Sequence, residues 1–541
     1  MKQKHFRALL LFMFLMIIVS ACDSGEEASE EVENSDGSTN MSVFIAENGE
    51  MDLETNSFTE FAEDEFDIHF EFQKTSYDSS SAKEKRQISL ASGDYPDVFF
   101  LVDWVDKFEP SELLKYGEQG ALIPLNDLIE EHAPNLSKVL DERDSFRKIA
   151  TAPDGNIYGI PGLEECFHCT WPNKLWLNTD WLEKLNLDIP STHEELKEVL
   201  TAFKEQDPNG NGKQDELPLS GSAASPNHSI IPILMNGFVY DDAQTRLLVK
   251  NGEVSFAANT PEWREGLEYI HSLYEEGLID SGAFTQNRDA FIQLGNNADN
   301  VILGAAAAQH PWEFVDNENQ YAYNPIAPLQ GPNHQYATYN YPVTNGATFA
   351  ITNKASEKTQ VKAIKLLDYM FTIDGMIRAH LGVEGEDWVT SEEGDVAINE
   401  DVEPNVKLLH PEEPTNNNWS AAAQYYQPRE FRDGQVQAED IYTDEGYERR
   451  LQEATYLYEG KEPEETFPFW AAWYPEEVQD EYSTLETNIL DNVEQSAVQF
   501  ITGELSLEDD WDDYVNGLES LGVDRYVEIN QEAYDNYLNE E

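Results

Sequence analysis

Two rhythms of apolar and polar positions alternate along residues 41–102. "MSVFIA", from Met41, is a short continuous apolar run, and "FDIHFEFQ" alternates with period two. Both predict strands. Between them "MDLETNSFTEFAEDE" has helical spacing, and "AKEKRQISLAS" predicts a second helix before the turn "GDYP" and the apolar strand "DVFFLV". The order strand–helix–strand–helix–strand predicts an α/β fold with a mostly parallel sheet and helices on both faces. Further along, "EWREGLEYIHSLYEEG" and "KTQVKAIKLLDYMFT" carry the three- and four-residue spacing of amphipathic helices, and "ATFAIT" predicts a strand. From about residue 440 the pattern is mainly helical, through "YSTLETNILDNVEQSAVQFITGE" and "LEDDWDDYVNGLESLG". No internal repeat is present.

The first 22 residues break this pattern. Lys2, Lys4 and Arg7 precede the apolar run "ALLLFMFLMIIVSA", which ends in "VSAC". A basic start, an apolar stretch of this length and small residues before a cysteine are the signature of a secretory signal, residues 1–21. Cys22 is the expected lipidation site, as in bacterial lipoproteins. An uncleaved N-terminal anchor is the alternative. Acyl chains contribute about 0.8 kcal/mol per buried methylene, so several would hold the protein firmly to a membrane. Residues 22–40, with "DSGEEASEEVENSDGSTN", have almost no apolar side chain to bury. They predict a disordered acidic tether. The body is therefore expected outside the cell, anchored to the outer face of the cell membrane.

A chain of 541 residues is long enough for two or three domains. The charge is extreme, with 34 Lys and Arg against 105 Asp and Glu, a formal −71. Such a surface repels phosphate and excludes nucleic acid as a partner. It also disfavours anionic ligands, although salt screens the field beyond roughly 8 Å. Cys166 and Cys169 in "CFHC" flank His168. One pair with one His is a poor four-ligand metal set. An incidental pair and a local disulfide both stay open.

"DPNGNGKQDE" (207–216) is the sharpest chemical motif. Oxygen side chains fall at Asp207, Asn209 and Asn211, then at Asp215 and Glu216. Gly212 sits sixth, where an EF-hand loop turns sharply, and Lys213 can offer its carbonyl seventh. Residue 218 is Pro, so the usual twelfth-position Glu is missing and Glu216 would have to replace it. A structural Ca²⁺ is the expected cofactor; a plain Gly/Asn turn is the alternative.

Several segments then resemble, in order, the extracellular solute-binding proteins of ABC carbohydrate importers. These are "LASGDYPDVFF" (90–100), "PLNDLIEEHAPN" (124–135), "DGNIYGIP" (154–161), "LWLNTDWLEKLNLDIPSTHEEL" (175–196) and "NGATFAITNKASEKTQVKAIKLLDYMF" (345–371). "GVEGEDW" (382–388) and residues 500–535 resemble the lipoprotein subgroup that includes alginate-type oligosaccharide-binding proteins. One departure is Asn178, where the subgroup often has Arg. The resemblance implies a two-lobe periplasmic-binding-protein-like fold with a hinge. Lobe one would take 41–165 and 340–395, and lobe two 166–339 and 396–541. The chain would cross near "YGIPG" and "YNYPVTNG". It further implies a monomer that captures an oligosaccharide in the inter-lobe cleft and hands it to ABC permease subunits.

A sugar site needs aromatic platforms with carboxylates and amides around them. Asp103 and Trp104 follow the strand "DVFFLV", and Glu47 and Asn48 follow "MSVFIA", where α/β proteins bind ligands. Trp312 in "AAAAQHPWEF" resembles a family loop that faces the cleft. Trp171, Tyr339 and Tyr341 lie at the inferred crossings, and Trp419 in "NNNWSAAAQYY" follows the return to lobe two. These nine are the expected ligand residues; Trp181, Trp388, Trp470, Trp473 and Trp511 are expected to pack in cores. An enzyme is the main rival, a surface glycosidase with two carboxylates across a bond. With 105 acids such pairs arise by chance, and no "GxSxG", "HExxH" or "GxxxxGK[ST]" occurs. A sensor-type sugar-binding protein is the third reading.

Overall fold

A computed structural model describes residues 37–296, 301–343, 345–409 and 414–539. The expected signal, Cys22 and most of the tether lie outside the described residues. The first strand, Thr39–Ala46, begins inside the span expected as tether. It pairs in parallel with Ile68–Thr75 on one side and Val98–Phe100 on the other. Phe349–Ile351 closes the sheet antiparallel to Val98–Phe100. The parallel expectation therefore holds for three strands, and the fourth returns from late in the chain.

Local chemistry sets the helices between these strands. Asn56 caps Ser57–Phe66 by accepting from the Phe58 amide at 3.0 Å. Asp78 does the same for Ser79–Ser92 through the Ser81 amide at 2.9 Å. Gly93, at φ +76, ends that helix in the left-handed region that favours glycine. Met41, Val43 and Ile45 then share one core with Phe58, Phe100, Phe349 and Leu366.

A second core belongs to another sheet. Lys174–Asn178 lies between Ala305–Ala308 and Tyr323–Pro325, antiparallel to both. Ala306 and Ala308 pack on one face with the fully buried Trp176 and Tyr323, while Ala305 and Ala307 face the other core. The helices His193–Glu205 and Pro261–Glu275 pack with the C-terminal helices Glu476–Thr502, Trp511–Leu521 and Val523–Asn539 around Trp181, Trp263 and Tyr526. Two separate cores make two lobes.

One expected boundary is corrected. Residues after 396 do not pass directly to the second lobe. Trp419, Ala422, Ala423 and Tyr425 are buried in the first core. Tyr426–Gln427 then pairs in parallel with Leu163–Glu164 beside the first crossing. Asn56 anchors this late segment by donating to the Asn418 carbonyl at 2.9 Å.

Candidate functional site

On the first lobe, the loop after Val98–Phe100 is held from beneath by Arg86, which is fully buried. Its guanidinium donates to both Asp106 oxygens at 2.8 and 3.0 Å, to Glu112 at 3.0 Å and to the Lys107 carbonyl at 2.6 Å. That clamp fixes residues 103–112. Asp103 pairs with Lys107 at 3.1 Å, and the Trp104 indole donates to the Tyr77 hydroxyl at 2.7 Å. Glu47 and Asn48, two of the expected ligand residues, hydrogen-bond within and beside the loop that follows Thr39–Ala46. Glu47 accepts from the Leu53 amide and pairs with Lys74 at 2.8 Å. Asn48 accepts from the amides of Glu50 and Met51.

On the second lobe, Ala305–Ala308 leads into the short turn Pro311–Glu313. Trp312 stacks on Tyr447 at 4.0 Å with ring planes 10° apart. Glu313 stands behind it, accepting from the Gln309 amide at 2.7 Å and lying 3.3 Å from His228. His168 lies 3.5 Å from Glu448, which also accepts from Arg432 at 3.0 Å. Burial, with the charges of Arg432 and Lys174 adding to it, holds the His168 imidazole well below its ordinary pKa. Lys174 is fully buried, donates to the carbonyls of His168 and Trp171, and is lowered to about 7 by burial. The sequence shows these histidines as scattered; strand pairing of Lys174 with Ala308 brings their segments together.

Of the eleven tryptophans, only Trp104 and Trp312 are exposed, at 51% and 38%. They follow strands of different lobes. Trp171 is buried against Phe167, Ala337 and Tyr458. Tyr339 sits between Trp171 and Trp470 at 5.8 and 5.6 Å, and Tyr341 stacks on Trp470 at 5.9 Å. These aromatics join the lobes at the crossings, because Trp470 also packs on Ile149. Trp419 is corrected outright: it is fully buried and donates to Thr59 at 2.9 Å, so it is a core residue. Cys166 and Cys169 are disulfide-bonded around the turn Phe167–Cys169 at the first crossing. Asn178 caps the helix Thr179–Leu185 through the Trp181 amide.

Between the lobes lies a cavity of about 680 Å³. Glu109, Ser111 and Asn345 line it from the first-lobe side, Gln244 and Arg246 from the second, and Tyr482 and Glu486 from the helix Glu476–Thr502. None of the nine expected ligand residues lines it.

The 207–216 loop winds around its own oxygens. Asp207 accepts from the amides of Asn211 and Gly212 at 3.0 and 2.9 Å. The side-chain amides of Asn209 and Asn211 donate to Asp215 at 3.2 and 2.9 Å. Glu216 is buried, and neither carboxylate oxygen has a hydrogen-bond partner. Burial raises its pKa, and the charges of Asp207 and Asp215 raise it further. A buried, unpartnered carboxylate beside two acids fits a hard cation.

Residues 52–377 match the bacterial extracellular solute-binding proteins. The chain belongs to that family. This solute-binding protein is 29% identical over 495 residues to the fructooligosaccharide ABC transporter substrate-binding protein FusA of Streptococcus pneumoniae, covering 88% of this chain and 86% of FusA. The solved structure of FusA in complex with kestose matches with a TM-score of 0.70 at 26% identity, over 93% of this chain and all of that one. An extracellular solute-binding protein from Bifidobacterium longum subsp. infantis shares the fold, with a TM-score of 0.77 at 20% identity over 93% and 99% of the two chains.

Residue patterns in this solute-binding protein gave no signal for the cavity wall. Gln244 and Arg246 lie in an irregular turn, and Glu486 is one of many acids on a long helix. Tyr447 was equally hidden, since its partner Trp312 is 135 residues earlier.

Proposed function

We propose that this protein captures a neutral oligosaccharide between its lobes and delivers it to the permease subunits of an ABC importer. The observation that carries this reading is the end-to-end similarity to FusA, whose solved complex holds kestose. The two exposed tryptophans support it. Each lobe offers one indole face at the end of a sheet strand, suited to the flat C–H face of a sugar ring. Trp312 is pre-organised by its stack on Tyr447, which reduces the ordering cost of binding. The formal charge of −71 favours an uncharged ligand.

Acylated Cys22 would hold the protein at the outer face of the membrane as a monomer. A structural Ca²⁺ in the 207–216 loop completes the reading. Asp207, Asn209, Asn211, the Lys213 carbonyl, Asp215 and Glu216 would hold it, and it would neutralise the buried Glu216. A FusA structure described as an EF-hand mutant supports a loop of this kind in a relative. Titration calorimetry against neutral fructo-, gluco- and galacto-oligosaccharides and acidic uronates tests the function. Saturable binding of a neutral oligosaccharide is expected. Binding confined to uronates, or hydrolysis of the bound sugar, would refute it.

A further inference from the structure

Cys166 and Cys169 are the only cysteines after Cys22, and they stand within one turn. Their disulfide spans a sequence separation of 3. Stabilisation by chain entropy grows with the loop that is closed, so this ring adds little to the stability of the whole fold. Its place is more informative than its span. The two crossing segments run side by side, with bridges between Ile160 and Phe349 and between Leu163 and Val343. Just after the first of them, the Glu165 amide donates to the Gln427 carbonyl at 3.0 Å. The Asn340 amide, on the second, donates to the Thr170 carbonyl at 2.8 Å. Phe167 meets Trp171, and Trp171 meets Tyr339, at 5.8 Å in each case. The disulfide thus holds the turn to which both crossings are fastened.

The two sulfurs differ in setting. Cys166 is buried, at 5% exposure, whereas Cys169 is half-buried. An incoming thiolate therefore meets Cys169 first. Cationic side chains gather at the turn in an otherwise acidic chain. The Arg429 guanidinium lies 4.2 Å over the Phe167 ring, and Lys174 donates to the His168 carbonyl at 2.9 Å. The nearby carboxylates are matched: Arg143 holds Glu165 at 3.0 and 2.9 Å, and Arg432 holds Glu448 at 3.0 Å. A ring nitrogen of His168 lies within 4.8 Å of both sulfurs, so a thiol formed there has a polar neighbour. Partial exposure beside cations is the setting in which cysteine sulfur exchanges, whereas a cysteine buried in apolar surroundings is inert.

We propose that Cys166–Cys169 is a thiol–disulfide exchange site whose partner is a protein dithiol. The partner's thiolate bonds to the Cys169 sulfur, the S–S bond of the turn breaks, and its electron pair leaves on Cys166, which takes up a proton. The partner's second thiolate then attacks its own sulfur in the mixed disulfide and releases Cys169, which is protonated in turn. Two electrons have passed to the turn, and the dithiol has become a disulfide. The reduced turn loses the covalent tie that fixes it between the crossings. Exchange therefore sets how firmly the two crossings are joined, whatever solute the protein carries.

The test uses the full, folded chain with dithiothreitol as the dithiol, followed by acid quench, alkylation and peptide mapping by mass, which keeps Cys22 separate. Dithiothreitol should reduce Cys166–Cys169 in native buffer at a rate within about tenfold of that in denaturant. Oxidised glutathione should label Cys169 in Cys166→Ser about tenfold faster than it labels Cys166 in Cys169→Ser. Should either variant fail to fold, the reduction rate of the parent decides. In the reduced parent, hydrogen exchange at the amides of Cys169, Thr170 and Asn340, each bonded within or onto the turn, should speed up about tenfold. Reduction that proceeds only as the chain unfolds, or faster labelling of Cys166, would overturn the exchange site. Unchanged hydrogen exchange after complete reduction would overturn its control of the crossings.

Discussion

Among the aromatic residues, burial separates those that hold the fold from those free to meet a ligand. Trp419 and Trp312 are not separated by their local sequence: each follows a short stretch containing polar residues, "NNN" and "QHP". Only tertiary packing distinguishes them, because Trp419 contacts Phe58, Phe70 and Phe100 from hundreds of residues away. Trp419→Ala should therefore cost about 3–5 kcal/mol of stability, read by denaturant melts. Trp312→Ala should leave the melt near parental and weaken sugar binding about tenfold, read by calorimetry. Lys174 gives a pH signature. Its folded pKa, about 7, lies below the ordinary 10.5, because burial disfavours the charged form. Between these values the unfolded chain holds the extra proton, so stability should rise with pH across that window; the burial penalty is fully present below pH 7. Melts of Lys174→Met against pH should show a flatter slope than the parent between pH 7 and 9. An equal slope would contradict a depressed Lys174.

At the scale of elements, periodicity was a good guide wherever an element has one buried face. The helices Pro261–Glu275 and Glu357–Met370 lie within a residue or two of their patterns. The central strand Thr39–Ala46 was legible because it is apolar on both faces. Sheet partners far apart in sequence were harder. Tyr426–Gln427 is only two residues long and finds Leu163–Glu164 across more than 260 residues, which no local pattern encodes. The 207–216 loop was legible for the opposite reason: its oxygen spacing is wholly local. If calcium fills it, adding a chelator should lower the melting temperature. Calcium at about 100 times its Kd would contribute about 2.7 kcal/mol, and Glu216→Gln should abolish most of that difference. Identical melts with and without chelator would exclude the ion.

For the whole molecule, two cores joined at aromatic-lined crossings leave a cavity whose walls come from both lobes. A ligand touching both walls favours the closed arrangement by its differential affinity for it. The ordered family resemblance predicted two lobes, while the cavity wall stayed invisible because it combines an irregular turn, a helix face and a crossing segment. Small-angle X-ray scattering of the protein, free and saturated with the neutral oligosaccharide that binds it most tightly, tests capture between the lobes most directly. The radius of gyration should contract on saturation, as hinge closure requires. An unchanged radius of gyration at demonstrated saturation would contradict the account.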